Sequence, residues 1–344
     1  MQLTSTTLNV ADTAELQEYF YSHRWTDGLP IIAPTRERVE RMVAGSGLPP
    51  SELIALIPPG VGAATVEKIA INAVMAGCLP EYMPVIIAAV RAVMEPPFNL
   101  NAIQATTNPA GPLLILNGPV RKRLDVNCGA GCLGPGWRAN ATIGRAIRLV
   151  LLNLGGATPG DVDKATHGMP GKYSFCFGEN EEESPWEPLH AGRGFQPGDS
   201  TVTVVAPGST TNITESSPSV DDVVKSLAYS ILATGSNHMR QGLGEPMLLL
   251  CPPHAAMLAR AGYTKDTLKQ KLHELARVPL AWLSENCKTH RGEITGLEDP
   301  MPMAASWDRY ILVVAGGPGG LHSVFLPTFG DTLAVTKKIE GPGY

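Results

Sequence analysis

The chain has 344 residues with 36 Gly and 30 Pro, about 19% together where average usage gives ~12%. Charged residues are 17% against the usual ~25%, hydrophobic residues are 44%, and the net charge is −5. The lack of a Gly-X-Y period excludes collagen, the hydrophobic content at low net charge excludes wholesale disorder, and a single dense basic cluster, Arg121-Lys122-Arg123, argues against nucleic acid as a partner.

The length suggests two domains or one large α/β unit. A low charged fraction leaves a weakly polar surface, which favours burial in an oligomer. The N-terminus lacks the basic start and apolar run of a secretory signal, and no apolar run reaches the ~18 residues of a membrane span. Six Cys do not make a disulfide framework, so a cytoplasmic chain with free thiols is expected.

Thr13 to Tyr21 reads as an amphipathic helix with Asp12 as N-cap and Glu15 three residues on. Trp25 to Pro30 is a turn, Ile31 to Ala33 a short buried strand, and Thr35 caps a helix that stops near Gly45 to Gly47. Thr65 to Ala76 is a helix closed by Gly77, and another follows from Pro84. Leu113 to Leu116 suits a fully buried strand, ended by Asn117-Gly118-Pro119. Arg138 to Leu154 is the clearest helix, with Ile143, Ala146, Ile147, Val150, Leu151 and Leu154 on one face. Thr158-Pro159-Gly160-Asp161 has the pattern of a further helix start.

Residues 165 to 200 show no periodicity. Thr201 to Val205 is a strand, Gly208 to Pro218 a polar loop, and Ser219 with Asp222 opens a helix to about Ala233. Met247 to Leu250 is a strand followed by Pro252-Pro253 and a helix to Ala261. Tyr310 to Ala315 is a last buried strand, ending in Gly316-Gly317-Pro318-Gly319-Gly320. Pro30-Ile31-Ile32 with its following helix is echoed by Pro246-Met247-Leu248 with its own. Gly47, Ser51 and Leu53 match Gly262, Asp266 and Leu268 at one offset of 215. The expected fold is α/β, with mixed or parallel sheets flanked by helices and two pseudo-duplicated halves. The expected division is a helical segment 1–24, a first half 25–205 and a second half 206–344.

Two stretches carry candidate chemistry. Cys128-Gly-Ala-Gly-Cys-Leu-Gly-Pro-Gly136 runs into the long helix, whose free N–H groups and dipole suit an anion. Gly131, Gly134 and Gly136 would let a carboxylate or phosphate approach, Arg138 would grip it, and Asn140 would orient it. No Gly-Lys-Ser/Thr follows, so this is no P-loop, and no acidic residue about 20 positions on supports a dinucleotide fingerprint. Cys128 and Cys132 read first as small buried residues, since Cys-x-x-x-Cys is not the spacing of redox or zinc pairs.

The second stretch, His167 to His190, gathers His167, Lys172, Glu179, Glu182, Trp186 and His190 in a loop region. In one reading Glu179 or Glu182 with His167 moves protons, Lys172 stabilises negative charge, and Trp186 helps bind substrate. In another, His167, Glu179, Glu182 and His190 bind a divalent metal, though their spacing fits no named motif. A solvated acidic loop anchored by Trp186 is the third. Ser323 lacks a Gly-x-Ser-x-Gly elbow, so no serine hydrolase is expected.

Ala105 to Pro119, Gly134 to Arg145 and His167 to His190 together resemble a bacterial family of poorly defined activity. Its members occur beside, or fused to, small proteins with a Sec/Cys-Gly-Ser-Cys motif. The resemblance runs from about residue 25 to 335, with its specificity in the middle third. It implies an enzyme component, an oxidoreductase or lyase, working with a partner that supplies a thiol or selenol. This chain has no Gly-Ser-Cys motif, so that group lies outside it. The expected ligand is a small anionic organic substrate, in a homo-oligomer or a hetero-oligomer with the small Cys/Sec protein.

Overall fold

The computed structural model describes residues 2–344. Helices come first. α1 (Thr13–Ser22) begins where the Asp12 side chain accepts from the Glu15 N–H, and α2 (Arg36–Ser46) where Thr35 accepts from Arg38. A hairpin of β1 (Leu53–Ile57) and β2 (Gly62–Thr65) leads into α3 (Val66–Ala76), which Thr65 caps and left-handed Gly77 ends. α4 (Met83–Val93) and α5 (Leu100–Ala105) follow. Next come β3 (Leu113–Asn117), α6 (Val120–Arg123), α7 (Arg138–Asn153), β4 (Cys176–Gly178) and β5 (Thr201–Val205). The remainder is β6 (Thr211–Thr214), α8 (Val220–Ser230), α9 (Asn237–Gln241), β7 (Met247–Leu250), α10 (Pro252–Arg260), α11 (Lys265–Leu275), β8 (Arg277–Val278), α12 (Glu285–Thr295), β9 (Met301–Pro302), β10 (Ile311–Val314), β11 (His322–Leu326) and β12 (Val335–Lys338).

The fold is α/β, with two four-stranded mixed sheets flanked by helices. In the order β4-β3-β5-β12 the first pair is parallel and the other two antiparallel. The order β10-β7-β11-β6 repeats that pattern. Registers match as well: Leu113 lies opposite Val205 as Met247 lies opposite Leu326, and Leu114 opposite Cys176 as Leu248 opposite Leu312. The chain is therefore pseudo-duplicated, with β3 corresponding to β7. The echo at an offset of 215 is not this repeat. Ile31 and Ile32 form no strand; their N–H groups go to the Gln17 side chain and the Met75 carbonyl, between α1 and α3.

Each unit gives its last strand to the other sheet. β6 follows β5 yet pairs with β11, and β12 follows β11 yet pairs with β5. The two connections cross where Gly208 N–H donates to Pro327 O (2.9 Å) and Phe329 N–H to Ala206 O (2.7 Å). With a boundary at 205/206, the second half holds a complete sheet and the first half borrows β12. β6 lies inside the stretch expected as a polar loop, because its outer residues Thr211, Asn212 and Thr214 are exposed and only Ile213 is buried. Thr158 to Asp161 is a turn rather than a helix start, closed by Asp161 and Asp163 N–H groups on the Thr158 carbonyl.

The sheets pack face to face. Alternation along each strand sends Leu113, Ile115 and Phe177 of one sheet against Met247, Leu249, Ile311 and Val313 of the other. The opposite faces carry Leu114 and Leu116 into a core with α2, α3, α4 and α7, and Leu248, Leu250 and Leu312 into a core with α8, α10 and α11. Burial on both faces explains the continuous apolar runs that mark these strands in the sequence. Among the described residues, no helix is long and apolar enough to cross a membrane.

Candidate functional site

The carboxyl ends of the parallel strand pairs meet between the halves. Asn180 N–H donates to Val314 O (2.8 Å), and Gly316 N–H to Cys128 O (2.9 Å). A Cβ on Gly317 would lie 2.7 Å from the Ala130 Cβ, so glycine is what lets the loops 128–136 and 316–320 touch. Trp186 closes the third side by donating from its indole to Tyr263 O (2.8 Å). It anchors the acidic loop to the second half.

The floor of this junction is an ion cluster around Arg121, which is only 4% exposed. Its guanidinium meets Glu181 Oε2 at 2.7 Å, both Glu182 oxygens at 2.9 and 3.1 Å, and the Glu179 carbonyl at 2.8 Å. Lys122 adds a contact to Glu182 at 2.8 Å. Arg121, then Lys122, pulls the Glu182 pKa from 4.5 to about 2. Glu182 is thus a firmly ionised, weakly basic partner of Arg121. The fully buried Glu179 carboxylate takes Asn117 Nδ2 (2.6 Å) and Leu189 N–H (2.7 Å), with Lys265 Nζ at 3.4 Å. Asn117 Oδ1, His190 Nδ1 and Thr201 Oγ1 are buried near it without partners. Cys128 Sγ sits 3.8 Å from Arg121 Nη1. Burial nevertheless raises its pKa, so it is not an activated thiolate.

On the outer side of the same turn, α7 starts without a side-chain cap, and no acid stands in its first turn. Arg138 is exposed and forms no ion pair among the described residues, and Gly131 and Gly136 face open space. Leu133 and Trp137 are exposed beside them. Asn140, expected to orient substrate, is instead buried and fully engaged. Its Oδ1 takes Asn127 N–H (2.8 Å), and its Nδ2 donates to Asn127 O (3.0 Å) and Cys132 O (3.2 Å). It braces the glycine turn.

The remaining candidates lie apart. Lys172 is paired with Asp163 (2.6 Å) beside Arg148, at a cavity of about 20 Å³. His167 is exposed on the preceding loop. His190 is buried with Nε2 3.4 Å from Pro197 O. His167, Lys172, Glu179 and Glu182 therefore do not form one acid/base group. Among the described residues no three His, Cys, Asp or Glu side chains are grouped to hold a metal ion, so the set His167, Glu179, Glu182 and His190 does not fit one. Sequence reasoning passed over Arg121, Asn117 and Lys265. The signal was present: Asn117-Gly-Pro closes a buried strand and a basic triplet follows one turn later. The chain matches no protein-family model and no curated protein.

Proposed function

We propose that the chain is a cytoplasmic enzyme subunit that binds a small anionic organic substrate at the amino end of α7. The observation that carries this reading is the helix start without a side-chain cap, where the exposed Arg138 forms no ion pair among the described residues. Free N–H groups, the helix dipole and a forked cation together suit a carboxylate or phosphate. The turn is held in place from below by Asn140 and Asn127.

The same surface is open and carries exposed Leu133 and Trp137. It suits closure by a second protein, in keeping with the resemblance to chains that work beside small Sec/Cys-Gly-Ser-Cys proteins. The partner's thiol or selenol would then supply the redox or carbon–heteroatom step. The engagement of Glu179 and Glu182 in the Arg121 cluster also favours a second reading, a non-catalytic binding subunit of the same complex.

Calorimetric titration with inorganic phosphate and with a small carboxylate tests the site. Arg138→Ala is expected to weaken binding at least tenfold and to leave the melting temperature unchanged. Equal binding by the variant sinks the reading. Turnover of a bound anion by the reconstituted complex, lost in Arg138→Ala, would favour the enzyme over the binding subunit.

A further inference from the structure

At the carboxyl end of β7, the position that corresponds to Asn117 is Cys251. β11 returns antiparallel beside β7 and brings Ser323 to it from 72 residues away. One turn into α10 stands His254. The three are 3%, 0% and 0% exposed. Their hydrogen bonds form a directed chain. His254 Nε2 lies 2.9 Å from the Glu215 carbonyl, which only accepts, so Nε2 carries the proton and Nδ1 is left as an acceptor. Ser323 Oγ is 2.8 Å from Nδ1 and donates to it. Ser323 Oγ also stands 3.9 Å from Cys251 Sγ, placed to donate to it, so the hydroxyl bridges the imidazole and the sulfur.

Moving one proton along this chain gives a thiolate and an imidazolium, and both ring N–H groups then have acceptors in place. Burial opposes the Cys251 thiolate, but hydrogen bonds from His254 and Ser323 outweigh it, and the thiol pKa falls below its ordinary value. Cys251 and the Glu215 carbonyl raise His254 against desolvation, and the Cys251 and Glu215 charges act in the same direction. Ser323 is the relay rather than the nucleophile: its oxygen already accepts the Cys251 N–H at 3.3 Å, and a hydroxyl ionises far less readily than a thiol.

We propose that Cys251 is a nucleophile, with His254 as its base and Ser323 as a positioning residue, that acts on a small carbon electrophile bearing a leaving group. Cys251 passes its proton through Ser323 to His254 Nδ1, and the thiolate forms a C–S bond as the bond to the leaving group breaks. The leaving group departs with the bonding pair and takes the proton back from His254. The electrophile must be small, because the thiol is shielded and the loop 316–320 spans from β10 to β11 across the end of β7. This site stands independently of anion binding at α7.

Iodoacetamide, a small neutral carbon electrophile, tests it on the whole chain, with alkylation at Cys251 followed by peptide mass spectrometry. An ordinary thiol of pKa about 8.5 loses roughly 75-fold in rate between pH 8 and pH 6. Cys251, with its pKa lowered, is expected to lose clearly less than that, and His254→Gln to restore the steep dependence. A steep profile in the native protein overturns the proposal, as does a profile unchanged by His254→Gln, or alkylation of Cys287 with none at Cys251. The native profile needs no variant, so a His254→Gln chain that fails to fold does not protect the idea.

Discussion

Arg121 holds more of the junction together than any other side chain. A buried guanidinium satisfied by two carboxylates and two carbonyls costs roughly 3–5 kcal/mol when one charged partner is removed, far more than a surface pair. Glu182 is the partner through which pH reaches it. The folded pKa of about 2 lies below the ordinary 4.5. Its contribution is therefore complete above about pH 4.5 and is lost as pH falls from there toward 2. Urea midpoints measured from pH 7 to pH 2 should show this as an acid limb. Glu182→Gln is expected to lower the midpoint at pH 7 and to flatten that limb, and an equally steep limb in the variant would remove Glu182 as its source. The side chain is 45% exposed, so the effect is screened by solvent and salt.

Helices and strands differ in how openly the sequence announces them. Asp12, Thr35, Thr65 and Ser219 cap helices as local chemistry predicts, and the apolar stripe of α7 ends within a residue of its expected place. β3, β7 and β10 show as apolar runs because both faces are covered, and β5 as a β-branched run of Thr and Val. β4, β6, β11 and β12 escape, since each is short or polar on one side and exists only through its neighbours. The sites follow the same rule. The glycine turn is local and legible. The chain from Cys251 through Ser323 to His254 is made by strand pairing, and the stretch His167 to His190 looked like one site only because it is contiguous. Asn140 tests the element scale. Asn140→Ala strips the partners from Asn127 and Cys132 and should cost roughly 1–3 kcal/mol in a denaturation experiment. If its stability equals that of the parent chain, the brace is not what fixes the turn.

At the scale of the molecule, the exchange of β6 and β12 makes each sheet depend on the other unit. Cutting the chain between Ser216 and Ser217 leaves one piece with β6 and no second sheet, and the other with β12 and no first sheet. Each piece also bares half of the apolar seam. The pieces should be insoluble when produced singly and should assemble into a 1:1 complex when produced together. Two pieces that each melt cooperatively alone would contradict this. In terms of descent, each unit hands its last strand to its twin. The chain is thus a strand-swapped pair written as one polypeptide. Joining the twins frees each from having to match the other. The corresponding ends of β3 and β7 carry the mark of that freedom: one is sealed by Asn117, Glu179 and Arg121, while the other holds a thiol and an imidazole.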